Sequence, residues 1–327
     1  MNELSLLQVE DLRTYFEVRR GQVKAVDGVS FDVKKGEAIG LAGESGCGKT
    51  TTAYSIMKLI PRPGKIVSGR ILLEGQDLVP LNEEQMRKLR WKKAAIVFQG
   101  AMSALNPVLR VGEQITEPIV LHAQLTEGEA MRKARTLFEL VGLDPSRVDD
   151  YPHQFSGGMR QRAMIAMSLA CDPDLLIADE PITALDVTIQ AQIMDLMKEL
   201  QRSLGLSTIL ITHDLSVIAE TCDRVVVMYA GKIAEFASVV AIFKQPLHPY
   251  TKGLIESVPT MEKAARKTLS SIPGQPPDLV DPPTGCRFHV RCPFADDRCR
   301  RNEPPLIEEE PNHWVACHHV DLVKAAR

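Results

Sequence analysis

Residues 43–50 read Gly-Glu-Ser-Gly-Cys-Gly-Lys-Thr, the spacing G-x-x-x-x-G-K-T. No other stretch of the chain narrows its fold as far. Glycines at these positions let successive backbone N–H groups turn inward around an anion, and a helix opening directly afterwards adds partial positive charge. The flanks supply that context. Residues 38–42 (AIGLA) form a short apolar run suited to a buried parallel strand, and residues 51–59 can continue as a helix until Pro61 stops it. Chance produces the pattern on the order of once in a hundred chains of this length. A nucleoside triphosphate site follows, with Lys49 reaching the β- and γ-phosphates and the Thr50 hydroxyl on Mg²⁺.

Bulk composition bounds the rest. The 327 residues can hold one large domain plus a smaller one with a true core. Lys+Arg 39 against Asp+Glu 42 leaves net charge −3, which provides no global basic field for nucleic acid. Hydrophobic content of 44% with only 5% aromatics fits an α/β protein whose strands are aliphatic. No apolar run approaches the roughly 18 residues of a spanning helix, and the N-terminus lacks a signal-peptide core. A soluble, cytosolic protein is expected, able to dock on a membrane partner. Of the seven cysteines, those at 47, 171 and 222 are scattered and four cluster near the C-terminus. A reducing compartment disfavours disulfides and draws attention to the cluster.

Taken in order, residues 4–35 alternate like strands, with turns expected at Gly21 and Gly28, and predict a small antiparallel sheet leading into the loop. Tyr15-Phe16 either lays a ring on adenine or packs within that sheet. Residues 66–80 read as strand and turn, and 82–93 as a short charged helix. Residues 94–98 (AAIVF) predict a buried strand ending at Gln99, where doubly wound folds put ligands. Gln99 there bonds to Mg²⁺, to an attacking water, or merely caps the strand.

Residues 100 to about 175 turn helical. Met102, Leu105, Pro107, Val108 and Leu109 form an apolar, turn-rich segment, either packed on the domain or a docking surface. Thr126-x-x-Glu129 is a capping box, and Ala130, Ala134, Leu137, Phe138 and Val141 share a face before Gly142. Ser156-Gly157-Gly158 opens a further helix. It is a second anion-binding N-terminus, or Ser156 is simply an N-cap.

Residues 175–180 (LLIADE) are an aliphatic strand ending in two carboxylates. Asp179 at the strand end suits Mg²⁺ held through water, and Glu180 suits orienting or deprotonating the attacking water. Ala184-Leu185-Asp186 precedes an amphipathic helix running to Leu204. Residues 208–214 repeat the theme of buried strand and polar end, with His213 as a γ-phosphate contact. Residues 225–236 predict a closing hairpin.

The phosphate loop, Gln99, residues 156–161 (SGGMRQ), Asp179-Glu180, Ala184-Leu185-Asp186 and His213 occur in the order found in ATP-binding subunits of ABC transporters, which the chain resembles over roughly residues 5–260. That resemblance implies a P-loop NTPase core of α/β class. Its mixed and parallel sheet carries an antiparallel N-terminal sheet, a helical subdomain at about 100–175 and a small cysteine-containing extension at 261–327. It implies that Gly43, Ser45, Gly46, Gly48, Lys49, Thr50 and Thr51 bind ATP, with Thr50, Gln99 and Asp179 around Mg²⁺. Glu180 is then the base or water-orienting group, His213 the γ-phosphate linchpin, and Gln99 a switch between metal and membrane partner. Phe16 falls where the family stacks adenine, with Tyr15 as the adjacent alternative. Ser156, Gly157 and Gly158 would contact ATP on an opposite subunit, and Asp186 would bridge a head-to-tail dimer, homo- or heteromeric. Phe155 and Met159 depart from the commoner Leu and Gln of the signature and leave its Ser-Gly-Gly core intact.

A narrower likeness lies outside the shared core. Residues 99–107 (QGAMSALNP), 151–154 (YPHQ) and 245–251 (QPLHPYT) are similar to ATPases of oligopeptide and dipeptide importers, whose relatives also import nickel, sugars or glutathione. The partners this implies are permease subunits, a second ATPase subunit and, through the permease, an extracytoplasmic solute-binding protein, with the chain at the cytoplasmic membrane face and no nucleic acid. The same likeness covers Cys286, Cys292, Cys299 and Cys317. Four thiolates suit zinc or a [4Fe–4S] cluster. The resemblance favours the cluster. Zinc, with His289 or His318, and free thiols are the alternatives. A DNA-repair ATPase would need a coiled-coil or DNA-binding insertion, and a ribosome-acting factor a second cassette. The sequence contains neither.

Overall fold

The computed structural model describes residues 5–100, 104–258 and 272–326. The boundary expected at 260/261 and Met102 lie outside them. The described residues form two compact units. One is built mainly on Pro80–Ile211, the other on Leu7–Val33, Ala38–Val79 and the chain from Thr212 onward.

The second unit holds two sheets. Strands β1 (Ser5–Val18), β2 (Gly21–Lys34), β4 (Gly64–Leu73) and β5 (Gln76–Asp77) lie in the order β2-β1-β4-β5, with β4 antiparallel to both β1 and β5. The turn expected at Gly28 does not exist. β2 runs through it, and Gly28 keeps a left-handed φ of 82° within the strand. A Cβ there would come within 3.2 Å of Asp11 Oδ1, so the glycine serves a close cross-strand approach and not a reversal.

In the other sheet β3 (Ala38–Ala42) lies parallel to β9 (Arg224–Tyr229). β9 turns back into β10 (Lys232–Ser238) through Ala230 and Gly231, with φ of 48° and 83°, the conformation two-residue hairpins require. Beyond β10 come β12 (His313–Val315) and β11 (Ile307–Glu310), both antiparallel, so strands from the cysteine-bearing segment extend this sheet. A buried carboxylate fastens them. Glu235 is fully enclosed and accepts the N–H groups of Leu247 and His248 and the Nε2 side of His313 at 2.7 Å. Every lone pair so used lowers the cost of burying the acid.

The first unit carries β6 (Ala94–Val97), β7 (Leu175–Asp179) and β8 (Ser207–Ile211), parallel in the order β8-β7-β6. Every residue of β7 and β8 is buried, which suits their largely aliphatic make-up. Helices Val111–Ala123, Glu127–Leu140 and Gly157–Ser168 form the expected helical segment. The capping box at Thr126/Glu129 is present, and Ala130, Ala134, Leu137 and Phe138 point inward as the spacing predicts. Leu105 is buried whereas Val108 is 75% exposed, so the apolar segment before these helices both packs and presents a surface.

Candidate functional site

In the second unit β3 delivers the chain into the phosphate loop, and the helix Lys49–Ile56 leaves it. That helix ends at Ile56, short of Pro61, because Met57 already caps it and Lys58 turns left-handed (φ 49°). Gly43 (φ 142°) and Gly48 (φ 108°) are dictated twice over. Side chains there would meet the Met228 and Ala25 carbonyl oxygens at 2.2 Å. At the exposed Gly46 space is open, and only its φ of 80° asks for glycine.

Lys49 is buried, its Nζ donating to the Gly43 carbonyl at 2.7 Å and the Glu44 carbonyl at 3.1 Å. The ammonium is thus folded across the loop it would share with a polyphosphate. Thr50 and Thr51 are half-buried in the first helical turn, Ser45 is exposed at the loop's tip, and burial raises the neighbouring Cys47 thiol above its ordinary range. His213 is exposed on a turn whose preceding residue, Thr212, donates its N–H to Leu41 O of β3 at 3.4 Å. The His213 turn and the phosphate loop therefore flank the same strand.

The two candidate adenine residues are placed differently. Tyr15 donates its hydroxyl to Asp27 Oδ1 at 2.6 Å, and burial together with that bond pushes its pKa up to about 12. Burial alone would raise Asp27, but the Tyr15 bond and the charges of Lys232, Arg287 and Arg13 outweigh it and keep the carboxyl ionised. Phe16 lies on the opposite face of β1, its ring against the Gly64 backbone and Ile60.

The first unit gathers the acidic group. Asp179 is fully buried at the end of β7. Glu180 follows with a left-handed φ of 48°, a conformation costing a non-glycine residue roughly 1 kcal/mol or more. Its Oε2 accepts from Gln99 Nε2 at 2.8 Å and from Thr183 Oγ1 at 2.9 Å. Nothing in the sequence around Thr183 marks it for this role. It stands three residues after the acid, in a turn closed by its N–H donating to Glu180 O at 3.2 Å.

Ser156 and Asp186 are both N-caps, accepting from Met159 N (3.3 Å) and Ile189 N (3.1 Å) and opening the helices Gly157–Ser168 and Val187–Leu204. Gly157 is the first residue of the former. A Cβ on Gly158 would come within 2.7 Å of Ile189 Cγ2, so this glycine lets those two helices meet. That packing role is a second reason for the Ser-Gly-Gly pattern, beyond approach to an anion.

The four C-terminal cysteines are drawn together. The Cys286 N–H donates to Cys299 O at 2.8 Å, Cys317 Sγ accepts the His319 N–H at 3.3 Å, and the Cys317 thiol feels Cys292, Cys286 and Cys299. Burial, reinforced by the neighbouring thiols, pushes Cys286 up to about 11 and Cys317 to about 12. Among the described residues, the four thiols do not by themselves make up a close ligand group. His289 and His318 each spend one ring nitrogen on a backbone carbonyl, of Cys286 and Asn302 respectively. The ligand atoms that do group are those of Asp296, Cys299 and His319, which lie within 4.8 Å of one another.

Comparison with known proteins agrees with this layout. The pattern of the ABC transporter family matches residues 26–183, and that of the oligopeptide/dipeptide transporter C-terminal region matches residues 234–299. The probable peptide ABC transporter ATP-binding protein y4tR of Sinorhizobium fredii is 50% identical over 95% of this chain and 94% of its own length. The oligopeptide transport ATP-binding protein OppD of Bacillus subtilis is 50% identical over 95% of this chain and 87% of its own. Among solved structures, the ATP-binding cassette MJ0796 bound to ADP and Pi superposes with a TM-score of 0.65 at 26% identity. It covers 71% of this chain and 98% of the cassette.

Proposed function

This chain belongs to the ABC transporter ATP-binding proteins, and on that premise we propose that it is the ATPase subunit of an importer driving di- or oligopeptides through a membrane permease. The observation that carries the reading is Lys49, buried across a loop in which Gly43 and Gly48 leave no room for a side chain.

The inward-turned amides of residues 43–51 and the Lys49 ammonium bind the β- and γ-phosphates. Phe16 stacks on adenine while Tyr15 is held by Asp27. Thr50, Gln99 and Asp179 are the residues that would hold Mg²⁺, and the ion would supply charge neutralisation at the phosphates. The Glu180 carboxylate, steered by Gln99 and Thr183, orients the attacking water and takes its proton. His213 donates to the γ-phosphate. In-line attack needs this positioning more than covalent chemistry.

Two such cassettes, homo- or heteromeric, close head to tail. Ser156, Gly157 and Gly158 reach the ATP of the opposite subunit, and Asp186 bridges the pair. Closure pushes on permease loops through the Gln99 region, where Val108 is exposed, and hydrolysis resets the dimer. The chain so placed sits at the cytoplasmic membrane face and meets the solute-binding protein only through the permease. The cassette spans 1–260, its helical part about 100–175, and the extension 261–327. Cys286, Cys292, Cys299 and Cys317 hold a [4Fe–4S] cluster, with zinc the alternative. An absorption spectrum of anaerobically purified protein separates the two.

The test is reconstitution with permease subunits and a partner cassette. Labelled peptide uptake and ATP turnover should both vanish in Lys49→Ala, together with tight binding of a fluorescent ATP analogue. Parental affinity in that variant contradicts the loop assignment. ATP turnover without peptide uptake moves the cargo to another solute.

A further inference from the structure

Glu44 occupies a variable position of the phosphate loop, yet each of its polar groups is engaged. Its carbonyl accepts from Lys49, and its N–H donates to Tyr250 Oη at 2.8 Å. Its two carboxylate oxygens take Arg291 Nη1 at 2.6 Å and Nη2 at 3.0 Å. The Arg291 side chain is only 4% exposed. It also donates from Nε to Pro273 O and lies over the Tyr229 and Phe288 rings. Arg291 directly precedes Cys292. On the other side of Phe288, Arg287 directly follows Cys286 and donates to the Asp27 carboxylate and the Ala230 carbonyl. Asp27 is the residue that holds Tyr15. The short segment between the first two clustered cysteines is thus pinned to the strand bearing Asp27 and extends one buried guanidinium to the phosphate loop.

A two-pronged guanidinium–carboxylate pair holds its geometry tightly, and removing the half-exposed carboxylate leaves the buried guanidinium's charge unpaired by it. Nothing in polyphosphate binding itself requires Glu44 or Arg291. What the loop does require is a backbone kept in three left-handed glycine conformations. A loop without its outer anchor samples other shapes, and ligand binding must then supply the ordering.

We propose that Arg291 is a positioning residue for the nucleotide, acting through Glu44 to hold the phosphate loop in its binding shape, so that the cysteine-bearing segment sets ATP affinity. The proposal rests on the ATPase reading above and adds to it a residue far outside the loop. It involves no contact between Arg291 and ATP.

The experiment uses the full chain assembled with its permease and partner cassette, measuring KM for ATP, kcat and binding of a fluorescent ATP analogue. Arg291→Gln should raise KM and the analogue Kd by about tenfold while kcat stays within about twofold, the size expected for one charged hydrogen-bonded pair. Arg291→Lys should recover only part of the loss, because an ammonium cannot span both oxygens. Glu44→Gln should raise KM similarly, and adding it to Arg291→Gln should cost little more, as a shared interaction demands. If Arg291→Gln does not fold, Glu44→Gln carries the same test, since it keeps the side chain's size and removes only its charge. Parental KM in the variant tested, equal falls in kcat and kcat/KM, or additive effects of the two substitutions overturn the proposal. Saturable analogue binding by the unaltered chain is read separately. Its absence would sink the ATPase reading and not this coupling.

Discussion

Gln99 and Glu180 meet side chain to side chain, Nε2 to Oε2 at 2.8 Å, across 81 residues of sequence. The contact joins the end of β6 to the end of its parallel neighbour β7. With Thr183 on the same oxygen and a left-handed backbone beneath it, the Glu180 carboxylate has little freedom to turn. Its orientation is set by the fold before any substrate arrives.

Glu180→Gln retains shape and hydrogen-bonding capacity but cannot accept a proton. It is expected to bind ATP as the parent does and to turn it over at least about a hundredfold more slowly, a general-base-sized loss. Gln99→Ala, which releases one of the two restraints, should cost about tenfold in kcat. Single-turnover hydrolysis measured beside analogue binding checks both. An unchanged kcat in Glu180→Gln removes that residue from the role.

Gly158 lies where the helices Gly157–Ser168 and Val187–Leu204 touch. A methyl group there falls 2.7 Å from Ile189 Cγ2, so Gly158→Ala should destabilise the fold by roughly 1–3 kcal/mol through overpacking. Ile189→Ala introduced alongside it should return much of that loss. Thermal melts of the single and double variants decide the point. A Gly158→Ala protein that melts with the parent leaves the glycine no packing role.

His248 is buried, its Nδ1 accepting the Tyr250 N–H at 3.0 Å, and burial lowers its pKa from an ordinary 6.5 to about 3. The unfolded chain takes up this proton below pH 6.5, whereas the folded chain refuses it until about pH 3. The stabilisation is complete above the unfolded value and is lost as pH falls through that window, by up to about 1.4 kcal/mol per pH unit. His248→Asn can still accept from Tyr250 N–H but does not titrate. Urea denaturation at a series of pH values should show a shallower acid slope in that variant. Parallel slopes would exclude His248 as the source.

Much of the local structure follows from sequence because its causes are local. The glycines of residues 43–48 demand left-handed conformations, Thr126 and Glu129 cap each other three residues apart, and unbroken apolar runs can form only the buried parallel strands that carry Asp179 and Glu180 to their ends. Those features need only nearest neighbours in the chain. Gly28 defied the same logic, because a cross-strand neighbour and not the adjacent residues explains it. What needed the folded chain were the pairings between distant residues: Thr183 and Gln99 on one carboxylate, Gly158 against Ile189, β12 on β10, and Arg291 on Glu44 across 247 residues. A charged or small residue carries no mark of its eventual partner in its own sequence neighbourhood. Only burial, by making an unpaired charge or a filled space costly, selects which distant group must meet it.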